Sequence, residues 1–300
     1  MDTPLVSVVM PSMNHAAFIT AAIDSILSQS YANLEIWVAD GGSTDATVAW
    51  LKSKQLEDHR LRWFSEPDSG PANALNKALH RARGTIIGWL NSDDLYTPDA
   101  INRAVEAFAA NPRWQMLYGH GDHIDVAGNF IDHYPTLTPE TNIEVFGDGC
   151  FICQPTVYFK RTLPILLGPL DERLKTAFDF DYWLRAFTKL PGRIGFIDAV
   201  QAYSRLHEDS ITLRMRRTVA LEGIQLLARH LGHAPSHWLL TYADELRSQA
   251  AAQNMPASEL HRQLLELLDE VVPLFSHSEI AFLRKKLLGD LHEQTTFSNP

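Results

Sequence analysis

The sequence predicts an α/β fold in which a mostly parallel sheet with flanking helices precedes a helical C-terminal extension. Short runs of almost continuously apolar, β-branched residues recur in the first hundred positions, as in strands that are buried on both faces. Segments with helical spacing lie between these runs, and this alternation is typical of a parallel sheet with right-handed crossovers. From about residue 215 onward the spacing of the apolar residues is helical. We therefore expect an α/β domain over residues 1–212 and a helical extension over residues 213–300.

The first four strands and the helices between them follow from these patterns. Pro71 can open the third helix, because proline is favoured at the first helical position. Thr97 and Pro98 predict the N-cap and first residue of a fourth helix. The strands are predicted at residues 5–10, 34–39, 61–64 and 86–90, and the positions that share a helical face are Phe18, Ala22 and Ile26, then Val48 and Leu51, then Ala74, Leu75, Ala78 and Leu79.

The later elements are predicted from turn and cap signals. Ala127-Gly128-Asn129 indicates a hairpin between Tyr118 and Tyr134, and residues 157–159 and 193–197 are predicted as short strands. A helix is expected over residues 179–187. In the extension, one helix ends before Gly232, another begins at Ser258 and stops at Pro273, and Ser276-x-x-Glu279 fits a capping box.

Composition excludes several classes of protein. Twenty-six basic and 36 acidic residues give a net charge of −10, so non-specific nucleic-acid binding is not expected. Two cysteines cannot form a disulfide framework, and neither a signal peptide nor an apolar run of membrane-spanning length is visible. We expect a cytoplasmic protein. The cluster Arg214, Arg216 and Arg217 could make a peripheral contact with anionic lipid at the inner face of the membrane, or form a solvated helix start.

Carboxylates follow the predicted strands, where open α/β sheets bind their ligands. Asp40-Gly-Gly-Ser-Thr-Asp45 follows the second strand, and Asp40 could accept hydrogen bonds from a base or a ribose. The alternative is a structural loop in which Ser43 or Thr44 caps the next helix. Both interpretations stay open for this loop.

The loop Asn91-Ser-Asp93-Asp94 after the fourth strand favours a metal site. Adjacent carboxylates repel each other unless a cation compensates them, and Mn²⁺ or Mg²⁺ bridging to a diphosphate would do so. Asp68 and Lys77, in the segment from Glu66, could hold a sugar hydroxyl and a phosphate. The alternative for that segment is helix capping by Asp68, with Asn76 and Lys77 on a solvated face.

These motifs, taken in order, resemble the family 2 glycosyltransferases of GT-A fold, the fold of nucleotide-diphospho-sugar transferases. The resemblance covers about residues 4–212. The residues that carry it are Val8-Val9-Met10-Pro11-Ser12-Met13-Asn14, the Asp40 loop, Glu66–Lys77, Trp89-Leu90-Asn91-Ser92-Asp93-Asp94, Gln154-Pro155-Thr156, Gly168-Pro-Leu-Asp171-Glu172, Phe178-Asp179-Phe-Asp181-Tyr-Trp-Leu-Arg185 and Tyr203-Ser-Arg205-Leu-His207.

The resemblance implies inverting transfer of a sugar from a nucleotide diphosphate, with a UDP-sugar as the expected donor. Asp94 is the expected metal ligand, His207 a second ligand, and Asp179 the general base, with Asp181 as the alternative carboxylate. The remaining donor-binding residues are Pro11, Asn14, Asp40, Asp68, Asn76, Lys77 and Asp93. The chain departs from the family pattern at Asn91 and Gly41, where relatives carry aspartates.

The resemblance implies a polysaccharide or lipid-linked glycan as acceptor. Two other functions are considered: a sugar nucleotidyltransferase, which would need a Gly- and Arg/Lys-rich loop after the first strand, and a non-catalytic nucleotide-sugar-binding scaffold, which would lack the base. The C-terminal helices could pair in a homodimer or pack on the catalytic domain. Exposure of Leu264, Leu268 and Val271 would favour the dimer.

Overall fold

A computed structural model describes residues 3–295 of the chain. These residues form two compact units. The first comprises the residues up to Ile143 together with Cys150–Ser210, and the second comprises Glu144–Gly149 with the residues from Ile211 onward. Each unit has a hydrophobic core of its own.

A nine-stranded sheet forms the centre of the first unit as the structure describes it, in the order β3-β2-β1-β4-β8-β6-β9-β5, with β7 paired to β6. The strands β3-β2-β1-β4 are parallel to one another, and β6 is parallel to β9. The strands are β1 (Val6–Ser12), β2 (Leu34–Asp40), β3 (Leu61–Ser65), β4 (Ile86–Trp89), β5 (Leu95–Tyr96), β6 (Met116–Ile124), β7 (Phe130–His133), β8 (Tyr158–Lys160) and β9 (Ile194–Arg205).

Six helices flank this sheet in the described part of the first unit. The four predicted N-terminal strands and the helices between them are confirmed. Strands that are buried on both faces need helices to cover them. Val6, Val8 and Met10 of β1 are completely buried. The helices are α1 (Ile19–Leu27), α2 (Thr47–Glu57), α3 (Pro71–Arg81), α4 (Ala100–Ala110), α5 (Leu163–Leu167) and α6 (Phe178–Lys189).

The strand directions bring the expected ligand-binding loops to one edge of the sheet. Strand β8 is antiparallel to both β4 and β6, so β4, β6 and β9 all run in the same direction. The loop after β4 and the end of β9 therefore meet at the same edge. The predicted hairpin is also confirmed: β6 and β7 are antiparallel around the turn at Asp125–Asn129.

Two expectations for this region were wrong. Thr97 does not cap α4, because its hydroxyl donates to the Val200 carbonyl at 2.7 Å, and the helix begins at Ala100 after Asp99, which has a positive φ of 61°. Strand β9 is 12 residues long rather than a short strand at residues 193–197. It pairs with β6 from Ile194 to Arg205 and, on its other side, with β5 at Ala202 and Tyr203.

The second unit is helical as described. Leu264, Leu268 and Val271 are completely buried in its own core, so the exposure that would have favoured a homodimer is not found. Ser276 and Glu279 form the predicted capping box, in which the Ser276 amide donates to the Glu279 carboxylate at 2.8 Å. The helices are α7 (Ile211–Arg214), α8 (Arg216–Leu231), α9 (Ser236–Ala252), α10 (Ala257–Val271) and α11 (His277–Thr295).

Candidate active site

The loops after β1 and β2 are tied together at the carboxyl edge of the sheet. Pro11 is the next-to-last residue of β1 and pairs with Ala39 of β2. Asn14, with φ +56°, donates its amide to the Ser43 hydroxyl at 2.7 Å and accepts from the Thr44 amide at 2.8 Å. These bonds hold the two loops side by side and leave Asn14 at the surface of the cleft.

Asp40 is buried beneath these loops. Its carboxylate accepts hydrogen bonds from the Gly42 and Ser43 amides at 3.1 and 2.9 Å, and from the Ser65 hydroxyl at 2.6 Å. The side chain of Ser43 donates to the second oxygen. Only 1% of Asp40 is exposed, so its contacts here are those of a residue that shapes the loop.

Asp68 approaches the same loop from the β3–α3 connection. A Cβ atom on Gly41 would lie 2.6 Å from Oδ2 of Asp68, so glycine at position 41 makes room for this carboxylate. Asp68 also accepts from the Gly70 amide at 2.9 Å. Two ammonium groups hold the backbone on either side of it: Lys77 donates to the Pro67 carbonyl at 3.1 Å and Lys175 to the Ser69 carbonyl at 2.9 Å.

Asn76 connects α3 to the segment that precedes α6. Its amide nitrogen donates to the Leu170 carbonyl at 3.0 Å and to Glu172 at 2.8 Å, and its oxygen accepts from the Leu170 amide at 3.1 Å. Both the nitrogen and the oxygen of the Asn76 side-chain amide therefore have hydrogen-bond partners. Asn76 therefore positions the loop before α6, a role that its spacing in the sequence did not reveal.

Asp94 in the loop after β4 is buried and faces the protein. Its Oδ1 accepts from the Arg205 amide at 2.9 Å, and its Oδ2 lies 3.3 Å from the Asn91 side-chain nitrogen. Burial raises the pKa of Asp94 well above its usual range, the Asp93 charge adds to this, and Arg205 opposes it. Asn91, at the position where relatives carry aspartate, also donates to Gln154 at 2.8 Å.

Asp93 contacts the other predicted metal ligand. Its Oδ2 lies 2.9 Å from Nε2 of His207, and the two side chains are 14% and 5% exposed. The His207 ring packs against Phe18 and His15, and His15 in turn contacts the Ser92 hydroxyl at 2.7 Å. The structure thus pairs His207 with Asp93, whereas the sequence predicted His207 beside Asp94.

Arg205 was missed as a site residue by sequence reasoning. Its Nε donates to the Asp93 carbonyl at 2.8 Å, and its Nη1 donates to the Asp125 and Val126 carbonyls at 2.9 Å. The guanidinium therefore joins the Asp93 loop to the turn of the β6–β7 hairpin. Its place two residues before His207 in one motif was the available signal.

The donor atoms of Asp93 and His207 suit a divalent cation. Two ligands at about 2.1 Å from a metal and at right angles to each other are about 3 Å apart, close to the observed 2.9 Å. Among the residues whose side chains are described, no group of three His, Cys, Asp or Glu converges on one point. Substrate phosphates and water would have to complete the shell, which is how Mg²⁺-type ions commonly bind.

Asp179 and Asp181 lie in the first turn of α6 but in different surroundings. Asp181 is 3% exposed and forms an ion pair with Arg185 at 2.8 Å. Asp179 is partly exposed and accepts from the Phe180 amide at 2.7 Å. Burial raises the pKa of the nearby Cys150 thiol to about 12, and the Asp179 charge adds to this. Asp181 thus forms a buried ion pair, whereas Asp179 is partly exposed at the start of the same helix.

The neighbourhood of Asp179 includes the β6–β7 hairpin. The Tyr134 hydroxyl donates to the Cys150 carbonyl at 2.8 Å, and the Asp179 charge helps to raise the pKa of Tyr134, after burial. The Tyr134 ring contacts His123, which pairs with Asp132 at 2.6 Å across the hairpin. Tyr134, directly after β7, therefore lies within electrostatic range of Asp179, and we call Tyr134 and the His123 ring that packs on it the hairpin wall.

The chain is similar in sequence to known proteins over about two thirds of its length. The chain is 30% identical over 185 residues to a chondroitin synthase from Escherichia coli, an alignment that covers 61% of this chain and 26% of that protein. The chain spans about a third or less of the length of the first relatives that it matches.

Solved structures share the fold. S. aureus TarS 1–349 in complex with UDP-GlcNAc matches with a TM-score of 0.63 at 16% identity, covering 98% of this chain and 93% of that one. The mannosyltransferase PcManGT from Pyrobaculum calidifontis, in complex with GDP-Man and Mn²⁺, matches with a TM-score of 0.59 at 20% identity, covering 99% and 82%. Both likenesses support the predicted GT-A fold.

The model of the family described as glycosyl transferase family 2 matches residues 7–163, more than half of the chain. That match includes the loops after β1, β2, β3 and β4. The chain belongs to glycosyl transferase family 2.

Proposed function

We propose that this glycosyltransferase moves a hexose or amino sugar, with inversion, from a UDP-sugar to a hydroxyl of a polysaccharide or lipid-linked glycan. The observation that carries the proposal is the Asp93–His207 pair at the carboxyl edge of the sheet, with Asp179 on a neighbouring helix. The complexes of TarS with UDP-GlcNAc and of PcManGT with GDP-Man and Mn²⁺ support a nucleotide-sugar donor. The chondroitin synthase relative supports a glycan acceptor.

We assign Asp93 and His207 as the protein ligands of a divalent cation, in place of Asp94 and His207. Asp94 uses its oxygens on Arg205 and Asn91, so its part is to hold the loop that presents Asp93. An imidazole ligand favours Mn²⁺ over Mg²⁺. When bound, such a cation stabilises the charge that develops on the leaving diphosphate.

The donor would lie along the tied loops after β1, β2 and β3. Asn14 and Asp68 are the residues of this set that remain at the surface of the cleft, so they are assigned to the nucleoside and sugar hydroxyls. Asp40 and Asn76 act behind them, by fixing the loops. Lys77 holds the Pro67 carbonyl and pairs with Glu66 at 3.2 Å, which makes it part of the same support.

Asp179 is assigned as the general base for the acceptor hydroxyl. A hydroxyl is a poor nucleophile until its proton is removed, and a positioned carboxylate contributes about 10²–10⁴-fold to the rate. One displacement on the face opposite the leaving group gives inversion, and no enzyme nucleophile is required. The acceptor would lie between Asp179 and the hairpin wall formed by Tyr134 and His123.

The experiment is a thermal-shift panel of UDP, GDP, dTDP and CDP, each with and without Mn²⁺. Ligands that bind the native state raise the melting temperature by mass action. We expect a Mn²⁺-dependent shift with UDP, absent in His207→Ala and retained in a control, His233→Ala, whose ring pairs with Glu144. If no nucleotide shifts the melting temperature of the wild type, with or without Mn²⁺, the proposed donor site is wrong.

The location of the protein is a separate proposal. No helix in residues 3–295 is long and apolar enough to cross a membrane. The cytoplasmic location that the sequence suggested remains a prediction, and fractionation of cells that express the full-length protein would test it.

A further inference from the structure

A groove with two arginines lies at the amino ends of β6 and β9. Arg113 and Arg193 line it, together with Gln115, Pro191 and Gly192. The Gln115 amide donates to the Arg193 carbonyl at 2.8 Å, which fixes the two sides of the groove relative to each other. Both arginines are exposed, and neither has a carboxylate within 4.0 Å in the part of the chain that the structure describes. Two uncompensated guanidinium groups therefore face solvent side by side.

The end of β8 extends this positive surface. Lys160 donates its amide to the Gln115 carbonyl at 2.8 Å and directs its ammonium to the Pro112 carbonyl, next to Arg113. The exposed Arg161 follows it. We call Arg113, Lys160, Arg161 and Arg193 the basic edge. The chain has a net charge of −10, but these four cations have no carboxylate partner among the described residues. The surface charge at the basic edge is therefore positive.

Large apolar side chains stand beside the basic edge. The Thr162 hydroxyl donates to Oε1 of Gln115 at 2.9 Å, so α5, which begins at Leu163, starts at the rim of the groove. Ile165 of this helix is 81% exposed and Leu166 is 45% exposed. Exposed aliphatic groups next to unpaired cations are the combination that favours the boundary between lipid head groups and acyl chains.

We propose that the basic edge, with Ile165 and Leu166, docks the protein on an anionic phospholipid bilayer. The arginines would meet the phosphates, and the two aliphatic side chains would enter the interface. A free phosphate ion would use only the arginines and would leave Ile165 without a role, so the bilayer explains more of the surface. Basic charge and apolar insertion together supply the two signals that stable peripheral binding needs.

The predicted lipid contact lay elsewhere, at the basic cluster that begins α8. There Arg216 pairs with Glu245 and Arg217 pairs with Glu270, which compensates the charge of both. Arg214, at the end of α7, is the one arginine of the predicted cluster without a carboxylate partner among the described residues. The basic edge has no such partners among the described residues. Charge complementarity with an anionic surface therefore favours the basic edge over the predicted cluster.

The basic edge is at the opposite end of the strands from Arg205 and His207. Strand β6 has nine residues. At a rise of roughly 3.3 Å per step, its first and last Cα atoms are about 26 Å apart. A bilayer at this edge would leave the catalytic edge facing water. This consequence rests on the proposed function: the acceptor would then be a glycan long enough to reach the far edge rather than a single lipid-linked sugar.

The test is co-sedimentation of the full-length protein with vesicles of phosphatidylglycerol and phosphatidylcholine in equal parts, and of phosphatidylcholine alone. We expect binding to the anionic vesicles that weakens at high salt, because surface charges are screened. Each cation removed should lower the partition coefficient about fivefold, so Arg113→Gln with Arg193→Gln should lower it about 25-fold. Ile165→Asp should lower it about tenfold or more.

The matched control is Lys52→Gln with Leu56→Asp on α2. These residues are also exposed, with Leu56 at 90%, but lie outside the basic edge. The control should bind vesicles as the wild type does, and every variant should keep its melting temperature and its Mn²⁺-dependent nucleotide shift. Absence of binding by the wild type, or equal losses in the control, would overturn the proposal. The proposal would also be overturned if inorganic phosphate raised the melting temperature in a way that requires Arg113 while the protein did not bind vesicles. That result would indicate a site for a small anion. If the proposed function is wrong, the Mn²⁺-dependent nucleotide shift will be absent whether or not the protein binds vesicles.

Discussion

Replacement of either aspartate in the first turn of α6 by asparagine should have a different effect: one variant should lose stability and the other should lose activity. Asp181→Asn leaves Arg185, whose side chain is 15% exposed, without its charged partner. Removal of one partner of a buried pair costs about 3–5 kcal/mol. The Leu167 and Pro169 carbonyls still accept from Arg185, so the lower end applies. For a unit of this size, about 3 kcal/mol lowers the melting temperature by about 6–12 °C.

Asp179→Asn should instead spare the fold and slow the chemistry. The asparagine oxygen can still accept from the Phe180 amide, so the melting temperature should change by less than about 2 °C. Loss of the general base should lower turnover by about 10²–10⁴-fold with little change in donor affinity.

The assay combines thermal unfolding with release of nucleoside diphosphate, using the donor that the nucleotide panel selects and a glycan acceptor. Each variant serves as the control of the other, because both remove one carboxylate from the same helical turn. Full turnover in Asp179→Asn would remove Asp179 from the role of base. Loss of turnover in Asp181→Asn without a lower melting temperature would refute the assignment of Asp181 to a structural ion pair.

Three further predictions concern single side chains. Glu35 is 3% exposed; burial raises its pKa, but hydrogen bonds from Arg83 and Ser7 outweigh this and lower it below 4.5. The ionised Glu35 therefore stabilises the fold above about pH 4.5, and this stabilisation is lost as the pH falls below that value. In denaturant titrations, the difference in free energy of unfolding between the wild type and Glu35→Gln should shrink from pH 7 to pH 3.5. A constant difference would contradict this. Gly41→Ala should displace the Asp68 carboxylate and weaken UDP binding in calorimetry at an unchanged melting temperature; unchanged affinity would remove Asp68 from the donor site. Gly84→Ala places a Cβ 2.5 Å from the Ser7 backbone nitrogen and should lower the melting temperature; an unchanged one would mean that this backbone yields at little cost.

Much of the fold could be predicted because its signals are local. Continuous apolar runs mark the four N-terminal strands, and the parallel arrangement then requires their following loops to meet at one edge. For this reason the sequence alone was enough to single out the loops of Asn14, Asp40, Asp68 and Asp93. The capping box at Ser276 and the turn at Gly128 were equally local.

What sequence could not provide are pairings over long separations. Asp93 and His207 are 114 residues apart, and which of two adjacent carboxylates meets the imidazole depends on strand direction and side-chain orientation. The same holds for Asn76, whose partners lie 94 and 96 residues further along. Helix α9 was missed although its buried residues Leu239, Ala243, Leu246 and Ala250 recur at helical spacing. Two of these four are alanines, which give a weak apolar signal, and the helix has no side-chain cap.

The role of Arg205 also emerged only in three dimensions. Its three carbonyl partners come from the Asp93 loop and the hairpin turn, and each is about 80 residues or more away. In the sequence its only signal is its place in the motif that ends at His207. The structure makes it the link between the Asp93 loop and the turn of the β6–β7 hairpin.

The measurement that tests the central claim most directly is a titration of Mn²⁺ in the presence of UDP, in which electron paramagnetic resonance reports the concentration of free Mn²⁺. We predict saturable binding at one site in the wild type, at least about tenfold weaker in Asp93→Asn and in His207→Ala, and unchanged in His233→Ala. Wild-type Mn²⁺ affinity in both site variants would contradict the assignment of Asp93 and His207 as metal ligands, and with it the proposed chemistry of this edge.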